Sequence, residues 1–279
     1  MSAPNPGSEL MRWAQGEPTV RAAILIGSQA REGKDVGGAD EHSDWDFQLI
    51  VRRPTLFADR AWTAALGCGP VLAYVVREGR LGSAEKVSLL FAGGEIDLVI
   101  IPARRLALAR ALGRVGLATR IRSLRAGLGD LALVLRAGYR FVKGEAEWGS
   151  FYRQVVSDVA PPRLADGQVR GLAEGFVCDY VSTLRKIDRG EFLAAQRWLH
   201  HQLAETNFRL AHERRQRQGL PSFPDARRIE RLSADAAKLT VTAMPDAASL
   251  RAAVEKARAT HIELVAALVG DLWRWPDLR

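Results

Sequence analysis

Short apolar runs separated by glycine- and proline-rich breaks dominate the first part of the chain, a pattern typical of β-strands. The run Val20 to Ile26 is almost continuously apolar, which predicts a strand buried on both faces. Further strands are predicted over 46–51, 71–76, 85–91 and 95–101. A glycine-rich turn at 92–94 favours a hairpin between the last two. With helices predicted over 8–15 and 55–66, residues 20–101 are expected to form a mixed sheet with one or two helices.

The spacing of apolar residues changes to that of helices beyond Pro102, and from Trp148 onward nearly every segment has helical periodicity. Helices are predicted over 103–112, 151–159, 168–188, 191–217, 226–239 and 247–273, with a small edge strand over 139–142. The predicted fold class is therefore α+β. A domain built on a mixed β-sheet with flanking helices is expected over 1–145, and a C-terminal, bundle-like α-helical domain over 146–279.

Composition and charge narrow the functional classes only a little. The chain has 279 residues, of which 47% are hydrophobic and 26% charged, as in ordinary globular proteins. A net charge of +8 suits nucleic acid, a membrane surface or small anionic ligands such as nucleoside triphosphates, and selects none of them. Cys68 and Cys178 lack metal-ligand spacing, which favours a reducing compartment. No signal peptide is recognisable and no apolar run approaches ~20 residues, so a cytoplasmic protein without a membrane segment is expected.

Two aspartates open the second predicted strand. Asp44 and Asp46 are alternate residues and therefore point the same way, with Trp45 on the other side. At a rise of ~3.3 Å per residue their Cα atoms lie about 6–7 Å apart. Like charges this close destabilise each other unless a cation joins them. Because Mg²⁺ prefers carboxylate and phosphate oxygens, the pair predicts a magnesium site.

Asp97 and the Gly27-Ser28 dipeptide extend this candidate site. Asp97 lies inside an apolar strand, where a carboxylate is costly unless it is paired or bound to metal. If that strand lies beside residues 46–51, the three acids cluster. Gly27 allows the backbone to approach a phosphate closely, and the Ser28 hydroxyl and the amides that follow can bind it.

The order of these features resembles the nucleotidyltransferase superfamily that shares the DNA polymerase β-type palm. Within it, the chain is most similar to antibiotic nucleotidyltransferases of the streptomycin (aminoglycoside) 6-adenylyltransferase type. Four stretches carry the resemblance: 20–31 with 43–47, Phe91–Pro102, Tyr139–Lys143 and Lys186–Phe192. The loop at 29–43 is slightly longer than the family pattern, which suggests an insertion around 33–40.

This resemblance implies a palm domain and Mg²⁺-dependent transfer of a nucleoside monophosphate, AMP from ATP, to a hydroxyl of a small molecule, with release of pyrophosphate. The expected acceptor is an aminoglycoside-type antibiotic, with lincosamide-like or other hydroxyl acceptors left open, and two magnesium ions are expected. Asp44 and Asp46 would hold Mg²⁺, and Asp97 would bind the second ion or act as general base. The implied nucleotide-binding residues are Gly27, Ser28, Arg31 and, across a cleft from the helical domain, Lys186.

A polycationic acceptor requires an acidic pocket, and the helical half contains the candidates. The predicted acceptor-binding residues are Glu145, Glu147, Trp148, Asp179 and Glu191. Trp148 would stack on the base or the acceptor. Glu191 has an alternative role as a first-turn acid that stabilises the following helix. The sequence leaves the nucleobase and the oligomeric state, monomer or homodimer, open.

Two alternatives remain. One is a nucleotidyltransferase that acts on RNA or on a protein side chain, and RNA would need a basic cluster. The candidate cluster comprises Arg120, Arg122, Arg125, Arg136 and Arg140. The other alternative is a family member that binds nucleotide without transferring it, and the presence of all three acids argues against this.

Overall fold

The chain divides into two compact units, Met1–Pro162 and Arg163–Arg279. The computed structural model describes residues 4–31, 38–78, 84–114, 121–160, 163–223 and 227–278. In these ranges every strand belongs to the first unit and the second unit is helical, which confirms the predicted α+β class. The first unit runs past residue 145, where the sequence placed the boundary, because a helix beginning at Glu145 packs within it. No helix in the same ranges combines the length and low polarity needed to cross a membrane.

Six strands of the first unit form one mixed sheet. They are β1 (Val20–Ile26), β2 (Trp45–Val51), β3 (Ala73–Glu78), β4 (Glu85–Phe91), β5 (Gly94–Pro102) and β6 (Tyr139–Lys143). Their order is β3-β4-β5-β2-β1-β6. Strands β2 and β5 are parallel, and all other neighbours are antiparallel. The predicted mixed sheet, the β4–β5 hairpin and the position of β6 at an edge are thus confirmed.

One face of the sheet packs on α1 (Pro6–Gly16) and on two 3₁₀ segments, Pro54–Phe57 and Ala61–Leu66. The single helix predicted over 55–66 is therefore wrong. The chain turns between the two segments, where the Asp59 carboxylate accepts a hydrogen bond from the Ala61 amide at 2.8 Å. Such a local side-chain bond offers the backbone an alternative to a continuous helix.

The other face packs on α2 (Ala103–Arg114), α3 (Arg122–Arg136) and α4 (Glu145–Asp158). Residues of β2 alternate between the two sides: Phe47 and Leu49 are buried in the first core, and Ile50 in the second. Asp46 lies an even number of residues from Ile50 and so projects on the side of these three helices.

The second unit is built from six α-helices within the described ranges. They are α5 (Asp166–Asp188), α6 (Phe192–Trp198), α7 (Glu205–Arg217), α8 (Ile229–Leu232), α9 (Ala236–Leu239) and α10 (Ala247–Val269), with a π-helical segment, Leu199–Ala204, between α6 and α7. The helix predicted over 191–217 thus contains a π segment. The helix predicted over 226–239 is two short ones, and its first residue lies outside the described ranges. The last helix ends at Val269 because Gly270 adopts a positive φ of 58°.

Candidate metal and nucleotide site

The sheet brings the three predicted acids together. Asp46 and Asp97 are direct register partners on the parallel strands β2 and β5, and Asp44 lies just before β2 begins. One carboxylate oxygen from each aspartate lies within 4.8 Å of the others. Asp97 is buried, whereas Asp44 and Asp46 are half-buried. Three carboxylates at this separation form an all-oxygen donor set of the kind that suits a hard divalent cation.

Gly27 lets the end of β1 approach this acid cluster. Its φ is 72°, in the region that favours glycine, and Ile26 just before it pairs with Asp46. A Cβ atom at position 27 would lie 2.3 Å from the Asp46 Oδ2 atom, too close for any side chain. Glycine is therefore required here both by the backbone angle and by the position of the Asp46 carboxylate.

Ser28 places an unsatisfied hydroxyl beside the cluster. The residue is 4% exposed, and its Oγ atom is buried with no hydrogen-bond partner in the described part of the chain. Leaving a buried polar group unsatisfied costs about 1–3 kcal/mol, so such a group calls for an explanation. A phosphate oxygen would supply the missing partner. The carboxylates, the close approach at Gly27 and the Ser28 hydroxyl together fit a divalent cation with a bound phosphate.

Two residues of β4 contribute to this site and were missed by the sequence analysis. Ser88 Oγ donates a 2.5 Å hydrogen bond to Asp97 Oδ1, and Lys86 Nζ forms an ion pair with Asp97 Oδ2. A usable signal was present, because a tight hairpin turn fixes which residues of the two strands face each other. Lys86 and Ser88 are alternate residues that such a register sets on the same side as Asp97.

Arg31 fixes the segment that follows Ser28. Its Nε atom donates a 2.8 Å hydrogen bond to the carbonyl oxygen of Ala137, between α3 and β6. The Nε atom of the predicted phosphate-binding guanidinium therefore holds the Gly27–Arg31 turn against the segment between α3 and β6. Of the insertion suggested around 33–40, residues 33–37 lie outside the described ranges.

Lys186 and Glu191 lie together in the second unit. Lys186 Nζ is 3.9 Å from a Glu191 carboxylate oxygen and 4.7 Å from the ring centroid of Trp198. Glu191 precedes α6, and its side chain makes no capping hydrogen bond there. Its carboxylate is also 4.0 Å from the Arg189 guanidinium. Glu191 therefore belongs to a cluster of charged side chains and does not cap the helix.

Three of the predicted acceptor residues lie on α4, in the first unit. Glu145 is exposed and lies 3.5 Å from Arg153. Glu147 accepts two hydrogen bonds from the Arg21 guanidinium, the shorter at 2.5 Å. Trp148 is 1% exposed and packs in the core.

The remaining acceptor candidate, Asp179, lies on α5 in the second unit. It is half-buried, and this burial raises the pKa of its carboxyl group above the usual value. Its backbone carbonyl accepts a 2.7 Å hydrogen bond from the Thr183 hydroxyl.

The candidate basic cluster for RNA is used in part for structure. Arg136 donates hydrogen bonds to the carbonyl oxygens of Val156 and Val159 at 2.7 and 2.8 Å. It therefore holds the C-terminal end of α4. Arg120 and the side chain of Arg122 lie outside what the structure describes.

The solved structures that are similar to this chain include the following two. One is an aminoglycoside 6-adenyltransferase from Bacillus subtilis, 14% identical, covering 98% of this chain and 92% of its own, with a TM-score of 0.41. The other is a nucleotidyltransferase-like protein from Exiguobacterium sibiricum 255-15, which is 10% identical. The match covers 92% of this chain and 73% of that protein, with a TM-score of 0.35. No family model and no curated protein matches. Similarity at this level says nothing about activity.

Proposed function

We propose that the chain is a Mg²⁺-dependent nucleotidyltransferase. It transfers AMP from ATP to a hydroxyl of a small molecule, an aminoglycoside-type antibiotic, and releases pyrophosphate. The observation that carries the proposal is the convergence of Asp44, Asp46 and Asp97 within 4.8 Å, beside a Gly27-Ser28 turn. The buried, unsatisfied Ser28 hydroxyl supports a phosphate at this place. The acceptor class rests on the sequence resemblance carried by 20–31 with 43–47, by Phe91–Pro102, and by Tyr139–Lys143 together with Lys186–Phe192.

In this reaction the acceptor oxygen bonds to the α-phosphorus, and the bond from that phosphorus to the α–β bridging oxygen breaks. Asp44 and Asp46 would hold the cation, which would neutralise negative charge on the triphosphate. The Ser28 hydroxyl would donate a hydrogen bond to a phosphate oxygen. Asp97 would take the proton of the acceptor hydroxyl, or would hold a second ion while that proton passes to solvent.

The test is a transfer assay on the full chain. Each of the four nucleoside triphosphates is supplied with Mg²⁺ or Mn²⁺ and a panel of aminoglycosides and lincosamides, and the modified acceptor is detected by mass. We expect an adenylylated aminoglycoside. Asp46→Asn should lower kcat/KM at least about 100-fold, because loss of a group that merely supports a metal ligand already costs 10–100-fold.

Glu95→Gln is the matched control for Asp46→Asn, because it removes the same charge. Glu95 is exposed, on the same strand as Asp97. The activity of this variant should stay at the wild-type level. Transfer that persists in Asp46→Asn contradicts the proposed site. Mg²⁺-dependent ATP binding without any product from the panel would favour the non-catalytic alternative.

A further inference from the structure

Both oxygens of the Asp97 carboxylate have a partner on the neighbouring strand β4. Ser88 binds Oδ1 at 2.5 Å, and Lys86 forms an ion pair with Oδ2. The antiparallel register sets Ser88 opposite Asp97 and Lys86 opposite Val99. The intervening Val87 is buried in the apolar core on the other face. Because alternate residues of a strand share a face, the sheet itself aims both donors at Asp97.

The two partners of this ion pair differ in their exposure. The Asp97 side chain is 12% exposed and that of Lys86 is 41% exposed. A carboxylate as buried as Asp97 needs a compensating charge or metal, whereas the head of Lys86 keeps contact with water. Lys86 therefore supplies the positive charge for Asp97. Without it, this carboxylate would depend on a cation from solution.

We propose that Lys86 is a positioning residue that acts as a fixed cation on Asp97, so that Asp44 and Asp46 hold a single divalent ion and no second ion binds the protein alone. The inference rests on the proposed function, because it concerns the same metal site. The three aspartates carry three negative charges and Lys86 one positive charge. These four side chains sum to −2, which one divalent cation balances.

This assignment decides between the two roles left open for Asp97, ligand of a second ion and proton acceptor. With Lys86 on Oδ2 and Ser88 on Oδ1, the carboxylate is held by protein donors and does not bind a second ion. The role that remains is that of proton acceptor for the attacking hydroxyl. Lys86 thus acts through Asp97, by fixing its orientation and by keeping a second cation from it.

The test counts manganese ions bound by the full chain without nucleotide, from the paramagnetic resonance signal of free Mn²⁺ during a titration. The wild type should bind one ion. Lys86→Met removes the charge with little change in length and should bind two. Lys86→Arg keeps the charge and should bind one. Arg77 lies opposite Lys86 on β3 and is exposed, so Arg77→Met is the control for loss of nearby charge and should also bind one.

Circular dichroism and thermal unfolding establish that each variant is folded. If Lys86→Met does not fold, Lys86→Gln replaces it, because glutamine keeps a donor without the charge and should also bind two ions. An unchanged count of one in the uncharged variants, or a count of two in the wild type, overturns the inference and leaves the proposed function standing. If the wild type binds no Mn²⁺, the proposed metal site itself is wrong.

Discussion

The two units of the chain arrange their acidic side chains in opposite ways. The first unit collects three carboxylates within 4.8 Å of one another at Asp44, Asp46 and Asp97. Among the acids that the structure describes in the second unit, Glu213 is the most buried, and it lies against the guanidinium of Arg217 at 3.0 Å and the amide of Leu164 at 3.1 Å. Glu213 is 3% exposed, even less than Asp97.

This difference shows that burial of an acid does not by itself indicate chemistry. Glu213 has a matching cation and a backbone donor, and Arg217 in turn reaches Asp166 at 3.0 Å. Such a network stabilises the packing of α5 on α7 and needs no ligand. Three carboxylates gathered at one point are costly for the fold. Lys86 offsets part of that cost at Asp97, and a cation that is not part of the chain relieves the rest.

Among substitutions that keep all three aspartates, the largest expected effect comes from Gly27→Ala, which changes the carboxylate cluster of the first unit. The new Cβ would lie 2.3 Å from Asp46 Oδ2 and would displace it, so Mn²⁺ affinity should fall at least about 10-fold. The backbone of Gly27, with φ 72° and ψ −153°, lies in a region open essentially only to glycine, so the free energy of unfolding should fall by a further ~1–3 kcal/mol. Manganese titration and urea unfolding measure the two effects.

Gly69→Ala separates the effect of a positive φ on stability from the effect of the close approach to Asp46 on metal binding. Gly69 has a φ of 81°, and a Cβ there would meet nothing within 4 Å. This control should share the loss of stability and keep wild-type Mn²⁺ affinity. If Gly27→Ala binds Mn²⁺ as tightly as Gly69→Ala does, the close approach to Asp46 has no part in metal binding.

The second prediction concerns a buried base in the second unit. The His261 ring stacks on Phe176 with centroids 3.8 Å apart, and Nδ1 lies 3.0 Å from Asn207 Oδ1. Since the amide of Asn207 donates to the Ala257 carbonyl, its oxygen accepts, and Nδ1 of His261 carries the proton. Burial lowers the pKa of His261 from 6.5 to about 3.

The direction of the resulting pH dependence of stability follows from proton binding. Below pH ~6.5 the unfolded chain protonates this histidine while the native chain keeps it neutral down to about pH 3. The free energy of unfolding of the second unit should therefore fall with decreasing pH in this window, by up to about 1.4 kcal/mol per pH unit. The effect should be absent above pH 7.

Hydrogen exchange of α10 at pH 7.5 and 5.0, corrected for the intrinsic exchange rate, measures this dependence. His261→Phe should flatten the pH dependence. The control His200→Gln, at an exposed histidine, should not. A pH dependence that persists in His261→Phe would show that other groups of the second unit are responsible.

The smallest expected effect comes from Lys186→Met in the second unit. Loss of the contact with Glu191 at 3.9 Å should change stability by about 0–1 kcal/mol. If Lys186 binds the triphosphate in the proposed reaction, KM for ATP should rise several-fold with little change in kcat. Lys256→Met, at an exposed position of α10, is the control. An unchanged KM would assign Lys186 to the structure of the second unit alone.

Much of the sheet could be predicted from the sequence. The bounds of β1 and β4 are those predicted, because apolar runs that end at glycine or at charged residues mark strands clearly. The convergence of Asp46 and Asp97 also followed from the sequence, once the two strands were assumed to be neighbours.

Other features depend on packing that a local pattern does not encode. The contact of Lys86 with Asp97 requires the register of the β4–β5 hairpin. The π-helical segment Leu199–Ala204 interrupts a run whose apolar spacing is that of an α-helix throughout. The ion pairs formed by the predicted acceptor acids depend on which arginine or lysine the fold brings next to each acid.

The parallel pairing of β2 with β5 also has a consequence for folding. Strands β3 and β4 lie between them in sequence, so Asp46 meets Asp97 only after a long loop has closed. The hairpin that joins Lys86 to Asp97 is local and closes at a smaller cost in chain entropy. A cation held by Asp44 and Asp46, with Asp97 beside it, finds its complete site only after that long-range pairing. Mass action then makes such an ion a selective stabiliser of the folded chain, by RT ln(1 + [ion]/Kd).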